Sequence, residues 1–258
     1  MSHSAANFIA LKTIWIKECT RFLRIWIQTL VPPAITMTLY FVIFGSIVGE
    51  RIGDMSGVGY MEFIVPGLIM MSVITNSYSN VASSFFSAKF QRNIEEMLVS
   101  PVPTAVIIAG YVGGGMARAM IVAVIVTCLS FLFADIQIAH IGYVILTVVL
   151  TSTLFCLGGL INAVYGKTFD DISIVPTFVL TPLTYLGGVF YSVSLLPEFW
   201  QKVSMANPVL YMVNGFRYGF LGQSDVSIGL AIGVLVGFNI LFFVAAYYIL
   251  DKGIGIRS

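Results

Sequence analysis

Long apolar runs alternate with short polar segments along this chain. Charge-free windows cover residues 25–49, 63–88, 119–134, 141–166, 172–197 and 226–250. A helix that crosses ~30 Å of hydrocarbon at ~1.5 Å per residue needs about 20 mostly apolar residues. All but the 119–134 window meet that length, and that one continues backwards through Arg118 into the apolar residues 104–117. The pattern predicts six spans, at about 28–49, 63–88, 105–134, 141–165, 172–192 and 227–250.

Two segments follow another rhythm. Phe8, Leu11, Trp15, Cys19, Phe22 and Trp26 recur every three or four residues, with Lys17, Arg21 and Arg24 elsewhere on the same helix. That predicts an amphipathic helix over 7–26 lying in the membrane interface, apolar side toward acyl chains. Pro32 and Pro33 then suit the first turn of the first span. The stretch 191–225 is mostly apolar but broken by Pro197, Pro208, Gly215 and Gly219. No unbroken piece is long enough to cross, so two short re-entrant helices are predicted over 195–220, dipping into the outer leaflet. The fold class expected is an all-α integral membrane protein.

Composition agrees. Of 258 residues, 58% are hydrophobic and 10% charged, with mean hydropathy +0.96. Soluble domains carry roughly 25% charge. Six spans put both termini on one side, together with Lys12, Lys17, Arg21, Arg24, Lys89, Arg92, Lys167, Lys252 and Arg257. The other side holds Arg51, Lys202 and Arg217. The positive-inside bias therefore predicts cytoplasmic termini. Lys12 and Lys17 interrupt the first apolar stretch, so no cleavable signal is expected. A net charge of +1 gives no reason to expect a nucleic-acid partner.

Several motifs mimic chemistry. Gly166-Lys167-Thr168 lacks the glycine that a phosphate-binding loop needs five residues earlier, where Ile161 stands. Gly110 and Gly114 form a small-xxx-small pair suited to close helix packing. His3 and His140, the only histidines, have no partner at ligand or triad spacing, and the three cysteines have no metal or redox spacing. No covalent catalysis and no bound metal or cofactor are expected in this chain. Ser72, Asn76, Ser79 or Asn80, and Ser83 recur at helical spacing in the second span. They are read as helix–helix hydrogen bonding, or as the lining of a translocation path or subunit seam. Arg118 lies ~20 Å along the third span, where burial costs about 2.5–3.5 kcal/mol. It either meets carbonyls or a lipid headgroup, or serves substrate passage.

One polar island, KFQRNIEEMLVSPVPT at 89–104, stands between two spans. Residues 91–98 can form about two helical turns before Pro101 and Pro103 stop them. The island, in Glu95-Glu96-Met97-Leu98-Val99-Ser100-Pro101, resembles the coupling helix of type-2 ABC exporter permeases. FIVPGLIMMSVI at 63–74 resembles the family's second span. PTFVLTPLTYLGGVFYSVSLLPEFW at 176–200 resembles its fifth span and outer helices, and ANPVLYMVNGFRYGF at 206–220 the segment that follows. The likeness covers nearly the whole chain, and is closest to bacterial single-domain permeases paired with a separate ATPase.

The resemblance implies a homodimer around a central path in the bacterial inner membrane, with each subunit docking one separate ATPase subunit. Residues 91–99 would be the coupling helix, with Glu95 foremost and Arg92, Glu96, Met97 and Leu98 beside it. Lys17, Arg21 and Arg24 would touch the ATPase from the interface helix. Pro197, Asn207, Pro208, Tyr211 and Arg217 would belong to the re-entrant outer segment. ATP and Mg would bind the partner, since this chain has no Walker motif. Family members move lipids, polysaccharides, drugs or peptides. The competing reading is an ion-gradient-driven secondary transporter or channel, which needs carboxylates or broken helices near the midplane; no acid is expected at that depth.

Overall fold

The computed structural model describes residues 3–55 and 57–255, apart from the side chains of His3, Ser46, Glu50 and Leu98. Arg257 lies outside the described residues.

The described residues are helical almost throughout. Helix α1 (His3–Arg24) is followed by α2 (Trp26–Thr29) and α3 (Val31–Val42). The latter runs through a π-helical stretch, Ile43–Val48, into α4 (Gly49–Ile52). Two residues of β1 (Asp54–Met55) pair antiparallel with β2 (Val58–Gly59). Then come α5 (Tyr60–Phe90), α6 (Asn93–Val99), α7 (Thr104–Ser130) and α8 (Ile141–Tyr165). Helix α9 (Asp171–Val175) continues through a π-helical Pro176–Leu180 into α10 (Thr181–Leu186). A 3₁₀ turn, Val193–Leu195, leads to α11 (Glu198–Met205), α12 (Pro208–Leu221) and α13 (Ile228–Asp251).

Five segments are long and apolar enough to cross a membrane: Trp26–Gly45, Tyr60–Phe90, Thr104–Ser130, Ile141–Tyr165 and Ile228–Asp251. The run predicted over 172–192 is shorter, Asp171–Leu186. It ends early because Gly188 takes φ +73°, a left-handed conformation that stops a helix. The predicted 105–134 helix likewise ends at Ser130, and the chain leaves through turns. The N-terminal helix ends at Arg24, two residues short of the predicted 26, because Ile25, with φ and ψ of −110° and 36°, is not helical.

Helix α5 is the central post. It packs against α7 and α8 along its length and is buried on most of its circumference. Glycines set how close these helices come. A Cβ on Gly159 of α8 would lie 2.5 Å from the Tyr78 carbonyl oxygen of α5. A Cβ on Gly115 of α7 would lie 2.5 Å from Cys156 Sγ and 2.7 Å from Val81. Such contact gives dispersion and weak polar bonds room to act where hydrophobic drive is absent; Cys156 donates to the Ser77 carbonyl at 3.6 Å. Helix α1 packs along α7, where Ile14 covers Gly110 and Glu18 covers Gly114. The small-xxx-small pair therefore receives α1.

Candidate functional site

The polar positions of the second span fall in two adjacent rows, one buried and one open. Ser72, Asn76 and Asn80 are buried and turn inward together with Ser84. Ser79 and Ser83 are only partly covered, and with Thr75 and Ser87 they form an open stripe at four-residue spacing. Asn76 and Ser79, like Asn80 and Ser83, are three residues apart, so the two rows run side by side on the helix, about 60° apart. The Thr75 hydroxyl donates to Met71 O at 3.0 Å and that of Ser83 to Asn80 O at 3.2 Å, which leaves oxygen lone pairs on the open side.

The inward face carries a charged network. Glu18 of α1 is fully buried. Ser84 Oγ donates to its Oε1 at 2.7 Å, and Arg21 Nη2 lies 3.3 Å from its Oε2. The same Arg21 nitrogen donates to Asn80 O at 3.0 Å and Asn80 Oδ1 at 2.9 Å. One turn along α5, Arg118 Nη2 of α7 donates to Asn76 Oδ1 at 2.9 Å and to the Thr29 carbonyl at 3.1 Å. Side chains and carbonyls thus hold a guanidinium that would be expensive in lipid.

Glu18 is an acid of the interface helix, outside the spans, that the protein buries. Arg21, expected at the ATPase surface, keeps 30% of its side chain exposed while it bonds Glu18 and Asn80; Lys17 and Arg24 are exposed. The apolar stripe also divides: Phe8, Trp15 and Trp26 are exposed, while Phe22 is buried beside Ile14 and Glu18. The missed signal was a spacing match, Ile14 to Glu18 against Gly110 to Gly114. Replacing Arg118 with alanine would strand the Asn76 amide oxygen and the Thr29 carbonyl. The expected loss is about 1–3 kcal/mol, read as a lower unfolding midpoint in detergent; no shift would mean that the two bonds are idle.

On the side of α6, the chain turns through Arg92, whose φ of 61° is uncommon for a residue with a Cβ. This turn separates α6 from α5. Ile94 is buried in the cluster of Val81, Phe85 and Phe86, with Met97 packed against it. Arg92, Glu95 and Glu96 are exposed, and Val99 is 87% exposed at the tip. The Ser100 hydroxyl donates to Met97 O at 2.6 Å as the helix ends before Pro101. The side chain of Leu98 lies outside the described residues. Nearby, Lys89 donates to the carbonyls of Val164 and Gly166 at the end of α8. In the Gly166-Lys167-Thr168 turn, the backbone N–H groups of Lys167 and Thr168 donate to Asp171 Oδ2 at 2.8 and 2.9 Å. Those donors are spent on the chain itself.

At the opposite end, Pro197 precedes α11 and Asn207 caps α12. Asn207 Oδ1 accepts from Val209 N at 2.9 Å, its amide donates to Leu183 O at 2.6 Å, and Pro208 fills the first helical position. Tyr211 Oη donates to Met205 O at 2.7 Å, tying α12 to α11. Arg217 is buried; Nη2 donates to Gly188 O at 2.7 Å and Nε to Phe63 O at 3.4 Å. Its guanidinium lies 3.8 Å over the Phe63 ring and 3.8 Å from Asp225 Oδ2. Among the described residues, no group of three or more His, Cys, Asp or Glu could hold a metal ion.

The family model of the ABC-2 type transporter matches residues 9–221. The inner membrane transport permease YadH of Escherichia coli (strain K12) is 64% identical over 251 residues, 97% of this chain and 98% of that protein. Nodulation protein J of Rhizobium leguminosarum bv. viciae is 22% identical over 215 residues, 83% of each chain. Nodulation protein J of Rhizobium meliloti (strain 1021) is 22% identical over 238 residues, 92% of this chain and 90% of that protein.

Proposed function

The chain belongs to the ABC-2 type transporter family, and on that premise we propose that it is the membrane subunit of an ATP-driven exporter in a bacterial inner membrane. Two copies form the translocation path. Each copy docks a separate ATPase subunit that binds ATP and Mg, and this chain hydrolyses nothing itself. Asp171–Leu186 makes the fifth of six crossings, α11 and α12 re-enter the outer leaflet, and both termini are cytoplasmic. Its near relative's designation as an inner membrane transport permease supports the location, and the distribution of cations supports the orientation.

The path runs past the open Thr75, Ser79, Ser83 and Ser87 stripe of α5. A row of hydroxyls without charge suits a wall that passing solute touches and leaves. The gradient-driven alternative would use Glu18, but that carboxylate is already engaged by Arg21 and Ser84.

The observation that carries this reading is α6. A seven-residue helix anchored by one buried isoleucine presents Arg92, Glu95, Glu96 and an 87% exposed Val99. An exposed charged helix with an apolar tip offers a partner protein both steering charge and a contact to bury. Glu95→Lys is expected to weaken binding of the ATPase subunit at least about 30-fold, the equivalent of about 2 kcal/mol for reversing an interfacial charge. Titration of the detergent-purified permease with its ATPase measures this. Undiminished affinity would remove α6 from the docking surface.

A further inference from the structure

We propose that Glu18 is a positioning residue through which α1 drives the path-lining face of α5, an inference that rests on the exporter reading. The geometry is specific. Helix α1 bonds α5 through two residue pairs, Glu18 with Ser84 by one hydrogen bond and Arg21 with Asn80 by two. Each contacted residue is the sequence neighbour of an open-stripe hydroxyl, Ser83 and Ser79. One short piece of α5 is therefore gripped by α1 along the row next to the one that faces the path, and the Asn80 carbonyl accepts from both Arg21 and Ser83. A helix turn is stiff, so movement of α1 reaches the wall without an intervening loop.

Glu18 also fixes the charge. With Arg21 and Arg118 it makes a group of two cations and one anion, bound to α1, α5 and α7. Take away the carboxylate and two guanidinium groups remain at the same place with no counter-charge. Arg21 then keeps only its bonds to Asn80, and the grip of α1 on α5 loses its second point. A Cβ on Gly114 would clash with Glu18 Cβ and Cγ, so α1 comes this close to α7 only because position 114 is glycine.

The test uses the permease–ATPase complex in liposomes. Ser79→Cys is introduced, and its modification by a charged maleimide is measured as the increment over protein with only native Cys19, Cys128 and Cys156. Rates are compared without nucleotide and after trapping with ATP, Mg and vanadate. With Glu18 present, the two rates are expected to differ at least about fivefold, the lower end of ordinary coupling between sites. In Glu18→Gln the ratio is expected to fall to parity. Simple destabilisation lowers the yield of folded protein, not this ratio. Should Glu18→Gln fail to accumulate, Glu18→Gln with Arg21→Gln carries the test, because its local net charge equals that of the unaltered protein; parity is expected there too. An unaltered ratio in either variant overturns the proposal alone. No nucleotide response in the Glu18 protein overturns the exporter path and the proposal with it.

Discussion

Arg217→Ala is expected to lower the unfolding midpoint in detergent by roughly 10 °C, the counterpart of about 3–5 kcal/mol lost when one partner of a buried charged network is removed. The guanidinium joins three separate pieces of chain: the start of α5 at Phe63, the turn after α10 at Gly188, and the loop before α13 at Asp225. Alanine leaves the Gly188 carbonyl without that donor and empties the space beside the Phe63 ring. Arg217→Lys should recover little, because an ammonium cannot reach both carbonyls with a flat, forked donor set. Differential scanning fluorimetry reads both variants. A shift below about 2 °C for alanine, less than 1 kcal/mol in a chain of this size, would mean that the outer helices are held by something else.

Gly159→Leu is expected to be at least as damaging. The atoms that a Cβ would strike are backbone, the Tyr78 oxygen at 2.5 Å and the Ala82 nitrogen at 3.2 Å, and neither can rotate away. Helices α5 and α8 would have to separate, which opens both core clusters where these helices meet. Overpacking of this kind costs about 1–3 kcal/mol when side chains can yield, and more when they cannot. The monodisperse fraction in size-exclusion chromatography should collapse. Gly142→Ala at the start of α8 makes the control: nothing lies within 4 Å of that Cβ, and its profile should match the unaltered protein. Equal behaviour of the two would refute the close crossing.

What was legible in the sequence follows from what hydropathy can carry. Window lengths located the five long apolar segments because lipid thickness imposes a length on each. The run after Asp171 was overestimated for the same reason: hydropathy stays high through Gly187 and Gly188, yet a positive φ at Gly188 ends the helix whatever the solvent. Asn207-Pro208 was readable as a helix start because a cap and a fixed φ act locally. Glu18 was not readable. One acid on an amphipathic helix looks like solvated surface until α7 brings a glycine against it and α5 brings Ser84. Ser79 and Asn80 were hard to separate for a similar reason, since only the neighbouring helices decide which of two adjacent polar residues faces inward.

Translation delivers α1 well before Ser84, Asn80 and Gly114 exist. Glu18 and Arg21 sit three residues apart on that helix, at the spacing that lets them pair within one turn, and lie 3.3 Å apart in the folded protein. The newly made segment thus carries its one anion beside a cation of its own. It meets the later helices as a prefabricated part, and the seat it enters was cut by glycine.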